Sequence, residues 1–204
     1  MLFFPAPPKF GKTSGRGRRK TLCLDLDETL VHTSATYETP EGDLPPTLRL
    51  DVEHSTKNRI FYVRVRPHLS EFLRECMQLF EVVIFTASEK SYADPIIACI
   101  FNEAGCDIPR QCYYRPSCNP IMGMHVKDLT KVRHDLSKVI LIDNSTSASA
   151  FQPTNLLTID SWFGAADDTE LLDTLELLRI LTTVSDVRNI LNLRLFRDAL
   201  KSNK

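Results

Sequence analysis

The sequence has almost no net charge and lacks any apolar segment long enough to cross a bilayer. Its 204 residues carry a formal net charge of −1, so the overall charge does not indicate nucleic acid or an anionic membrane as a partner. No apolar run approaches the roughly 18 residues that a membrane helix needs. The opening MLFFPAP is broken by Pro5 and is too short for a signal peptide. We therefore expect no membrane segment in this chain and no direct contact with nucleic acid.

The six cysteines lack the spacing of a zinc knuckle or a disulfide framework. They are scattered along a chain large enough to bury a core, and no C-x-x-C pair occurs. A zinc site built from Cys106, Cys112, Cys118 and His125 is an alternative that this spacing does not favour. We expect ordinary thiols in a reducing compartment.

Composition divides the chain into a leader and one globular domain. Residues 1–19 are rich in Pro, Gly, Lys and Arg, which predicts a disordered basic leader. The cluster RGRRK at 16–20 is interpreted as a solvated charge run, with a nuclear-import or acidic-partner motif as the alternative. Residues 20–200 are expected to form a single domain, because their length and apolar content suit one core.

The domain alternates apolar strands with helical stretches, which predicts an α/β fold. The runs TLCLDL, EVVIFT and KVILID each end in a polar residue and look like parallel strands buried on both faces. Apolar residues at helical spacing follow at 67–79 and 91–105, and again near the C-terminus. Residues 36–65 differ, because two alternating strands around 54–58 predict a small inserted β-hairpin. We expect a mostly parallel sheet with helices on both faces.

Polar side chains stand where the predicted strands end. Asp25, Thr86 and Asp143 each occupy such a position, and the carboxyl edge of a parallel sheet is where ligands collect. An Asp-x-Asp pair at a strand end is by itself equally a turn or a helix cap. The combination carries more weight because Asp27, Lys127 and Asn144 complete a set suited to binding phosphate. The candidate set is Asp25, Asp27, Thr86, Lys127, Asp143 and Asn144.

These motifs resemble the haloacid-dehalogenase superfamily of aspartyl-phosphate phosphatases. Within it they are similar to the small C-terminal-domain phosphatases and their Dullard-like, NLI-interacting-factor-like relatives. The similarity runs from about Lys20 to Asp198, and YYR and DVRNIL are closer to the Dullard branch. The matching blocks are LDLDETLVH, VRPHLSEFL, FTASEKSYADPI, YYRPSCNPIMGMHVKDL, LIDNS and DSWFGAADDTELLDTL. The resemblance implies that residues 20–200 are a phosphatase catalytic domain with a Rossmann-like sheet.

The resemblance also implies a division of labour in catalysis. Asp25 would attack phosphorus and form an aspartyl-phosphate, while Asp27 would act as general acid and then as general base. Thr86 and Lys127 would hold the transferring phosphoryl oxygens. A carboxylate that attacks a phosphate dianion meets charge repulsion, so a cation is expected beside it.

Magnesium is the cofactor that the resemblance implies. Its predicted ligands are Asp25, the carbonyl oxygen of Asp27, Asn144 and water. Asp143 is included in the metal set and is expected to orient Lys127 or a metal-bound water. Glu28 is expected to turn outward as a cap.

An open site is expected because the sequence has no room for a large cap domain. The intervals between Thr29 and Val82 and between Thr86 and Lys127 hold only the hairpin, helices and short strands. An open phosphatase site fits a phosphorylated serine or threonine side chain on a protein. The alternatives are a small-molecule phosphatase or phosphomutase, or a non-catalytic module that binds phosphoproteins.

Four further residues match substrate-facing positions of the family, namely Tyr92, Arg115, Glu89 and Ala35. Members that act on the polymerase tail use apolar side chains where Ala35 and Glu89 stand here. A carboxylate against proline costs desolvation without a partner, so we expect weak preference for Ser-Pro peptides. Glu89 is expected to favour a basic residue beside the phosphoserine.

The family resemblance bears on partners and location as well. It implies a phosphorylated protein substrate, a monomer and a membrane-associated regulatory subunit. It also implies nuclear or cytoplasmic localisation, including association with the nuclear envelope. Whether the substrate is a polymerase tail, a lipin-type protein or another phosphoprotein stays open at this point.

Overall fold

The computed structural model describes residues 19–52 and 59–193. The predicted leader, except Arg19, lies outside these residues, and so does the predicted turn at 54–58. The described strands, in chain order, are β1 (Thr21–Leu24), β2 (Val31–Ser34), β3 (Leu48–Val52), β4 (Arg59–Val65), β5 (Glu81–Phe85), β6 (Cys112–Tyr113), β7 (Asn119–Ile121), β8 (Met124–Val126), β9 (Val139–Asp143) and β10 (Leu156–Thr158). The α-helices are α1 (Leu69–Leu79), α2 (Lys90–Glu103) and α3 (Glu170–Thr183), and residues 188–193 are also helical.

Five strands form a wholly parallel sheet in the order β10-β9-β1-β5-β6. The first strand of the chain lies at its centre, where Leu22 pairs with Val82 of β5 and with Ile140 of β9. All four residues of β1 and all five of β9 are buried. These strands are covered on both faces, which explains their continuous apolar runs. The predicted parallel sheet is confirmed.

The two faces of this sheet are covered differently. Leu22, Leu24 and Ile84 face a large core that includes the buried sides of α1, α2 and α3. Cys23 and Leu141 face a smaller core on the opposite side. Short 3₁₀ helices at Leu129–Lys131 and Leu136–Lys138 supply apolar residues to that smaller core. The three α-helices therefore stand on one face and these two 3₁₀ helices on the other. Among the described residues, none of the helices has the length and apolar character required to cross a bilayer.

The inserted region is a three-stranded antiparallel sheet in the order β2-β4-β3. The two strands predicted around 54–58 are β3 and β4, and β2 adds a third strand that the sequence did not indicate. Because β2 begins four residues after Asp27, this small sheet is joined directly to the end of β1. It stands beside the carboxyl edge of the main sheet without forming a large cap.

A second insertion positions the predicted lysine. Strands β7 and β8 pair antiparallel across a tight turn in which Met122 and Gly123 both have positive φ angles, 49° and 79°. Two residues with positive φ are what a type I′ hairpin turn requires. Lys127 directly follows β8, and its backbone N–H donates to the carbonyl of Ala148 at 2.7 Å. This hydrogen bond holds the β7–β8 hairpin against the segment that follows β9.

Candidate active site

The predicted strand-end residues meet at the carboxyl edge of the parallel sheet. Asp25 follows β1, Thr86 follows β5, and Asp143 is the last residue of β9. Because β9, β1 and β5 are neighbours in the sheet, these three side chains stand on adjacent strands. A cavity of about 260 Å³ opens there, and we call it the catalytic cavity. Its lining includes Asp25, Asp27, Lys127, Asp143 and Asn144.

Lys127 joins two carboxylates at the floor of this cavity. Its Nζ donates to Asp25 Oδ1 at 2.5 Å and to Asp143 Oδ2 at 2.6 Å. The lysine side chain is only 2% exposed. Burial alone would lower the pKa of Lys127, but the charges of Asp25 and Asp143 more than offset this and raise it. The lysine therefore remains a fixed cation beside Asp25.

Both oxygens of Asp143 are occupied by protein donors. Oδ2 accepts from Lys127, and Oδ1 accepts from the backbone N–H of Ser145 at 2.8 Å. Burial raises the pKa of Asp143 to about 6, and the charge of Lys127 opposes this rise. Of the two roles expected for Asp143, these bonds favour that of orienting Lys127.

Asp27 is held by two hydroxyl groups at the rim of the cavity. Ser88 Oγ donates to Oδ2 at 2.7 Å, and Tyr92 Oη donates to Oδ1 at 2.5 Å. Burial raises the pKa of Asp27, while the two hydrogen bonds act in the opposite direction. A carboxyl group that holds its proton more tightly than an exposed aspartate suits a general acid.

Thr86 is fully buried at the end of β5. Its Oγ1 accepts from the backbone N–H of Ser88 at 3.0 Å, and its own N–H donates to the carbonyl of Tyr113 at 2.9 Å. The contact with Ser88 turns the chain so that Ser88 reaches Asp27. Ser88 was not among the predicted site residues, although it lies in the matched block FTASEKSYADPI.

Asn144 presents its side-chain oxygen toward Asp25. Its Nδ2 donates to Ser161 Oγ at 2.9 Å, while its Oδ1 lies 3.3 Å from Thr29 Oγ1. The same Thr29 hydroxyl lies 3.1 Å from Asp25 Oδ2. Asp25 and Asn144 thus offer oxygen atoms on either side of Thr29, and oxygen ligands are those that Mg²⁺ prefers. The donor set therefore fits the predicted metal.

Carboxylates alone do not make a metal cluster here. Across residues 19–52 and 59–193, no group of three or more His, Cys, Asp or Glu side chains is arranged to hold a metal ion. The predicted magnesium set depends instead on an amide oxygen and a backbone carbonyl beside its carboxylates. Of the alternative zinc set, His125 lines the catalytic cavity, whereas Cys106 and Cys112 pack against the core.

Glu28 departs from its expected place. It was expected to turn outward as a cap, but the structure shows it half-buried and lining the catalytic cavity. Its φ angle of 55° lies in the left-handed region and turns the chain toward β2. One carboxylate oxygen lies 3.3 Å from His32 Nδ1. Burial and the neighbouring charge of Asp27 raise the pKa of Glu28.

The four predicted substrate residues line a second cavity of about 720 Å³, which we call the side groove. Ala35, Glu89, Tyr92 and Arg115 all belong to it, together with Asp27. Arg115 Nε donates to the carbonyl of Ala87 at 2.6 Å, and its Nη1 lies 3.6 Å from Glu89 Oε1. Tyr92, which was predicted to face substrate, also donates its hydroxyl to Asp27, and this hydroxyl lies 2.6 Å from Thr33 Oγ1.

Two apolar residues of the side groove were missed. Val52 of β3 and Phe61 of β4 line it, and the Phe61 ring packs edge-on against Tyr92 with ring centroids 5.4 Å apart. The inserted strands were predicted, but nothing in their alternating pattern indicated which side chains would reach the groove. The inserted sheet therefore supplies an apolar wall that Ala35 does not.

Comparison with known proteins gives a consistent result. The family model for NLI interacting factor-like phosphatase matches residues 20–188. A probable C-terminal domain small phosphatase of Dictyostelium discoideum is 42% identical over 177 residues, which are 85% of this chain and 54% of that protein. CTD nuclear envelope phosphatase 1 of Xenopus tropicalis is 36% identical over 199 residues, covering 96% of this chain and 81% of that protein.

Solved structures agree in fold. The fission yeast RNA polymerase II CTD phosphatase Fcp1, bound to beryllium fluoride, superposes with a TM-score of 0.57 at 17% identity. That match covers 91% of this chain and 56% of Fcp1. The chain therefore spans about half the length of Fcp1 and of the Dictyostelium relative. At this identity the similarity to Fcp1 concerns the fold alone.

Proposed function

The chain belongs to the NLI interacting factor-like phosphatase family, and from this membership we propose that it is a Mg²⁺-dependent protein serine/threonine phosphatase. The proposal assigns it an aspartyl-phosphate intermediate on Asp25. The observation that carries it is the pairing of Asp25 with Lys127 at 2.5 Å, with Asp27 at the rim of the same cavity. This arrangement supports the proposed roles of Asp25 as nucleophile, Lys127 as fixed cation and Asp27 as general acid.

In the first step an oxygen of Asp25 attacks phosphorus, and the bond from phosphorus to the serine or threonine oxygen breaks. Asp27 gives its proton to that leaving oxygen. In the second step water attacks phosphorus, Asp27 takes the proton from water, and the bond to Asp25 breaks to release phosphate and free carboxylate. Lys127 stays in place throughout and offsets the negative charge that develops on the phosphoryl group.

The proposed metal ligands are oxygen atoms of Asp25 and of residues near it. The side chains of Asp25 and Asn144 and the backbone carbonyl of Asp27 would hold Mg²⁺, with Asp143 holding Lys127 behind them. When bound, Mg²⁺ neutralises phosphate charge that would otherwise repel an attacking carboxylate. Thr29 and Ser161 support this assignment, because they fix which end of the Asn144 amide faces Asp25.

A protein substrate is supported by the openness of the site and by the relatives. The catalytic cavity shares Asp27, Glu28 and Ala87 with the larger side groove, which leaves room for a peptide chain. Relatives bear the names of C-terminal domain and nuclear envelope phosphatases. We extend from them an association with the nucleus or nuclear envelope. We also propose that the catalytic chain is a monomer and that it binds a membrane-associated regulatory subunit.

The test is turnover by the purified chain in Mg²⁺ on phosphoserine peptides and on sugar phosphates, with Asp25→Asn as control. Rapid hydrolysis of peptides and little of sugar phosphates is the expected result. A preference for sugar phosphates would support the small-molecule alternative. Binding of phosphopeptides without any Mg²⁺-dependent hydrolysis would support the non-catalytic module.

A further inference from the structure

A buried arginine stands behind the proposed metal ligands. Arg66 follows β4 and is 1% exposed. Its Nε and Nη2 donate to the two oxygens of Asp168, each at 2.8 Å, in a paired geometry. Its Nη1 donates to two backbone carbonyls, those of Thr29 and Asp160, each at 3.0 Å. We call Arg66, Asp168 and these two carbonyls the Arg66 clamp.

Through Thr29, the Arg66 clamp is connected to Asp25 and Asn144, the two side chains that are proposed to bind the metal. The carbonyl of Thr29 is held by Arg66, and the hydroxyl of the same residue lies between Asp25 and Asn144. Thr29 is fully buried. Its hydroxyl has one proton and donates to one of these oxygens at a time. The position of Thr29 therefore fixes the spacing of Asp25 and Asn144.

Through Asp160 and Ser161, the Arg66 clamp is also connected to the amide nitrogen of Asn144. Arg66 holds the carbonyl of Asp160, and the next residue, Ser161, accepts from Asn144 Nδ2. The following N–H, that of Trp162, donates to the carbonyl of Glu28 at 2.8 Å. This segment is thus joined to the loop that follows β1 directly, by the bond from Trp162 to Glu28, and indirectly, through Arg66. Both hydrogen bonds of the Asn144 amide depend on segments that Arg66 holds.

We propose that Arg66 is a positioning residue that sets the affinity of the site for Mg²⁺ by holding Thr29 and Ser161 against Asn144. The inference rests on the proposed function, because it takes Asp25 and Asn144 as metal ligands. Partners of metal ligands commonly tune metal affinity by about 10- to 100-fold. An arginine is suited to the task because its planar fork meets the Asp168 carboxylate and two carbonyls together, which a lysine ammonium cannot do.

Arg64 in β4 offers a matched control. Arg64 stands two residues earlier, is also buried, and likewise donates to backbone carbonyls. Its acceptors are the carbonyls of Leu44 and Glu38 and the hydroxyl of Ser34, none of which touches Asp25 or Asn144. Replacing Arg64 by lysine disturbs a comparable buried network whose acceptors do not contact the proposed metal ligands.

The experiment measures the Mg²⁺ dissociation constant calorimetrically on the free protein, with the melting temperature recorded for every variant. Arg66→Lys is expected to raise this constant by about tenfold or more, whereas Arg64→Lys leaves it near the wild-type value even where it lowers the melting temperature. Thr29→Val should weaken Mg²⁺ binding in the same way, and Thr29→Ser, which keeps the hydroxyl, should restore it. Ser161→Ala should also weaken it.

Equal Mg²⁺ affinity in wild type and Arg66→Lys would overturn the inference, as would equal weakening by Arg64→Lys. If Arg66→Lys does not fold, Thr29→Val and Ser161→Ala decide the matter, because each removes one hydroxyl and leaves Arg66 in place. If Thr29→Val and Ser161→Ala both bind Mg²⁺ with wild-type affinity, the inference is overturned. Since no substrate is present, the proposed function is judged separately by hydrolysis: an inactive wild type that binds Mg²⁺ contradicts only that function.

Discussion

The catalytic cavity and the side groove differ in how firmly their side chains are held. Lys127 in the cavity is 2% exposed and bonded to two carboxylates, whereas Glu89 and Arg115 in the groove are 55% and 48% exposed and lie 3.6 Å apart. A buried pair leaves an unpaired charge when one partner is removed, while an exposed pair is screened by water. We therefore propose that the buried side chains of the cavity carry out the reaction and that the exposed side chains of the groove influence which substrate is preferred.

The largest effect is expected from Asp25, the proposed nucleophile in the cavity. Asp25→Asn keeps the size of the side chain but cannot form an aspartyl-phosphate, so kcat should fall by about 10⁴-fold or more. The melting temperature should change little, because the amide can still accept from Lys127. Near-native turnover would show that the cavity does not act through covalent catalysis. The measurement is steady-state hydrolysis of a phosphopeptide.

Lys127→Met should be the next most severe change, and it should affect stability as well as turnover. Loss of the cation leaves Asp25 and Asp143 buried without a partner, which costs about 3–5 kcal/mol of unfolding free energy. Turnover should fall by about 10²- to 10³-fold, because no fixed charge faces the phosphoryl group. Denaturant unfolding checks the first value. Lys90→Met, which removes an exposed pair with Asp94, is the control and should leave stability nearly unchanged.

The stability lost in Lys127→Met should depend on pH in a defined direction. Burial already raises the pKa of Asp143 to about 6 in the wild type, and removal of Lys127 raises it further. A carboxyl group whose pKa is raised in the folded state favours folding while it is protonated, and this contribution is lost as pH rises through the folded-state pKa. The variant should therefore recover stability as pH falls from about 7 toward 4. Recovery toward high pH would contradict this.

Tyr92 links the two regions, and its removal should have a moderate effect. Its hydroxyl stabilises the ionised form of Asp27, which lowers the pKa of that carboxyl against the larger effect of burial. In Tyr92→Phe the pKa of Asp27 should rise, so the alkaline limb of kcat should move to higher pH. A drop in kcat of about tenfold is expected because Asp27, the proposed general acid, is held less firmly. A pH profile with an unmoved limb would show that Tyr92 acts only on the substrate.

The smallest effect is expected from Glu89 in the side groove. Peptides with lysine beside the phosphoserine should have a kcat/KM a few-fold above those with proline, because an exposed charge pair is worth at most about 1 kcal/mol. Glu89→Leu should remove or reverse this preference, whereas Glu103→Leu at the other end of α2 should not. A tenfold preference of the wild type for proline, about 1.4 kcal/mol, would mean that Val52 and Phe61 dominate the groove.

The main sheet could be predicted from the sequence because each of its long strands is marked by its own apolar run. Runs such as Val139–Asp143 are apolar up to a polar last residue, so the sequence predicted both their burial and the position of that polar residue. The meeting of Asp25, Thr86 and Asp143 then followed from strand ends sharing one edge, whereas Lys127 is brought there by the β7–β8 hairpin. The matched family blocks supplied the roles.

Other features depended on contacts that no local pattern encodes. Arg66 and Asp168 are 102 residues apart, and an arginine before a proline looks like an ordinary surface residue in the sequence. The bond from Ser161 to Asn144 likewise arises only when two loops are brought together. Glu28 was misjudged because a left-handed backbone at a glutamate is rare and cannot be read from its side chain.

The most direct test of the account is whether Asp25 carries the phosphoryl group during turnover. The wild-type protein would be mixed with phosphopeptide and Mg²⁺, quenched in acid within a turnover, and digested for mass spectrometry. The account predicts one added phosphoryl group on the peptide that contains Asp25, and none in Asp25→Asn. A phosphoryl group on a different residue, or turnover with no labelled protein at any quench time, would contradict it.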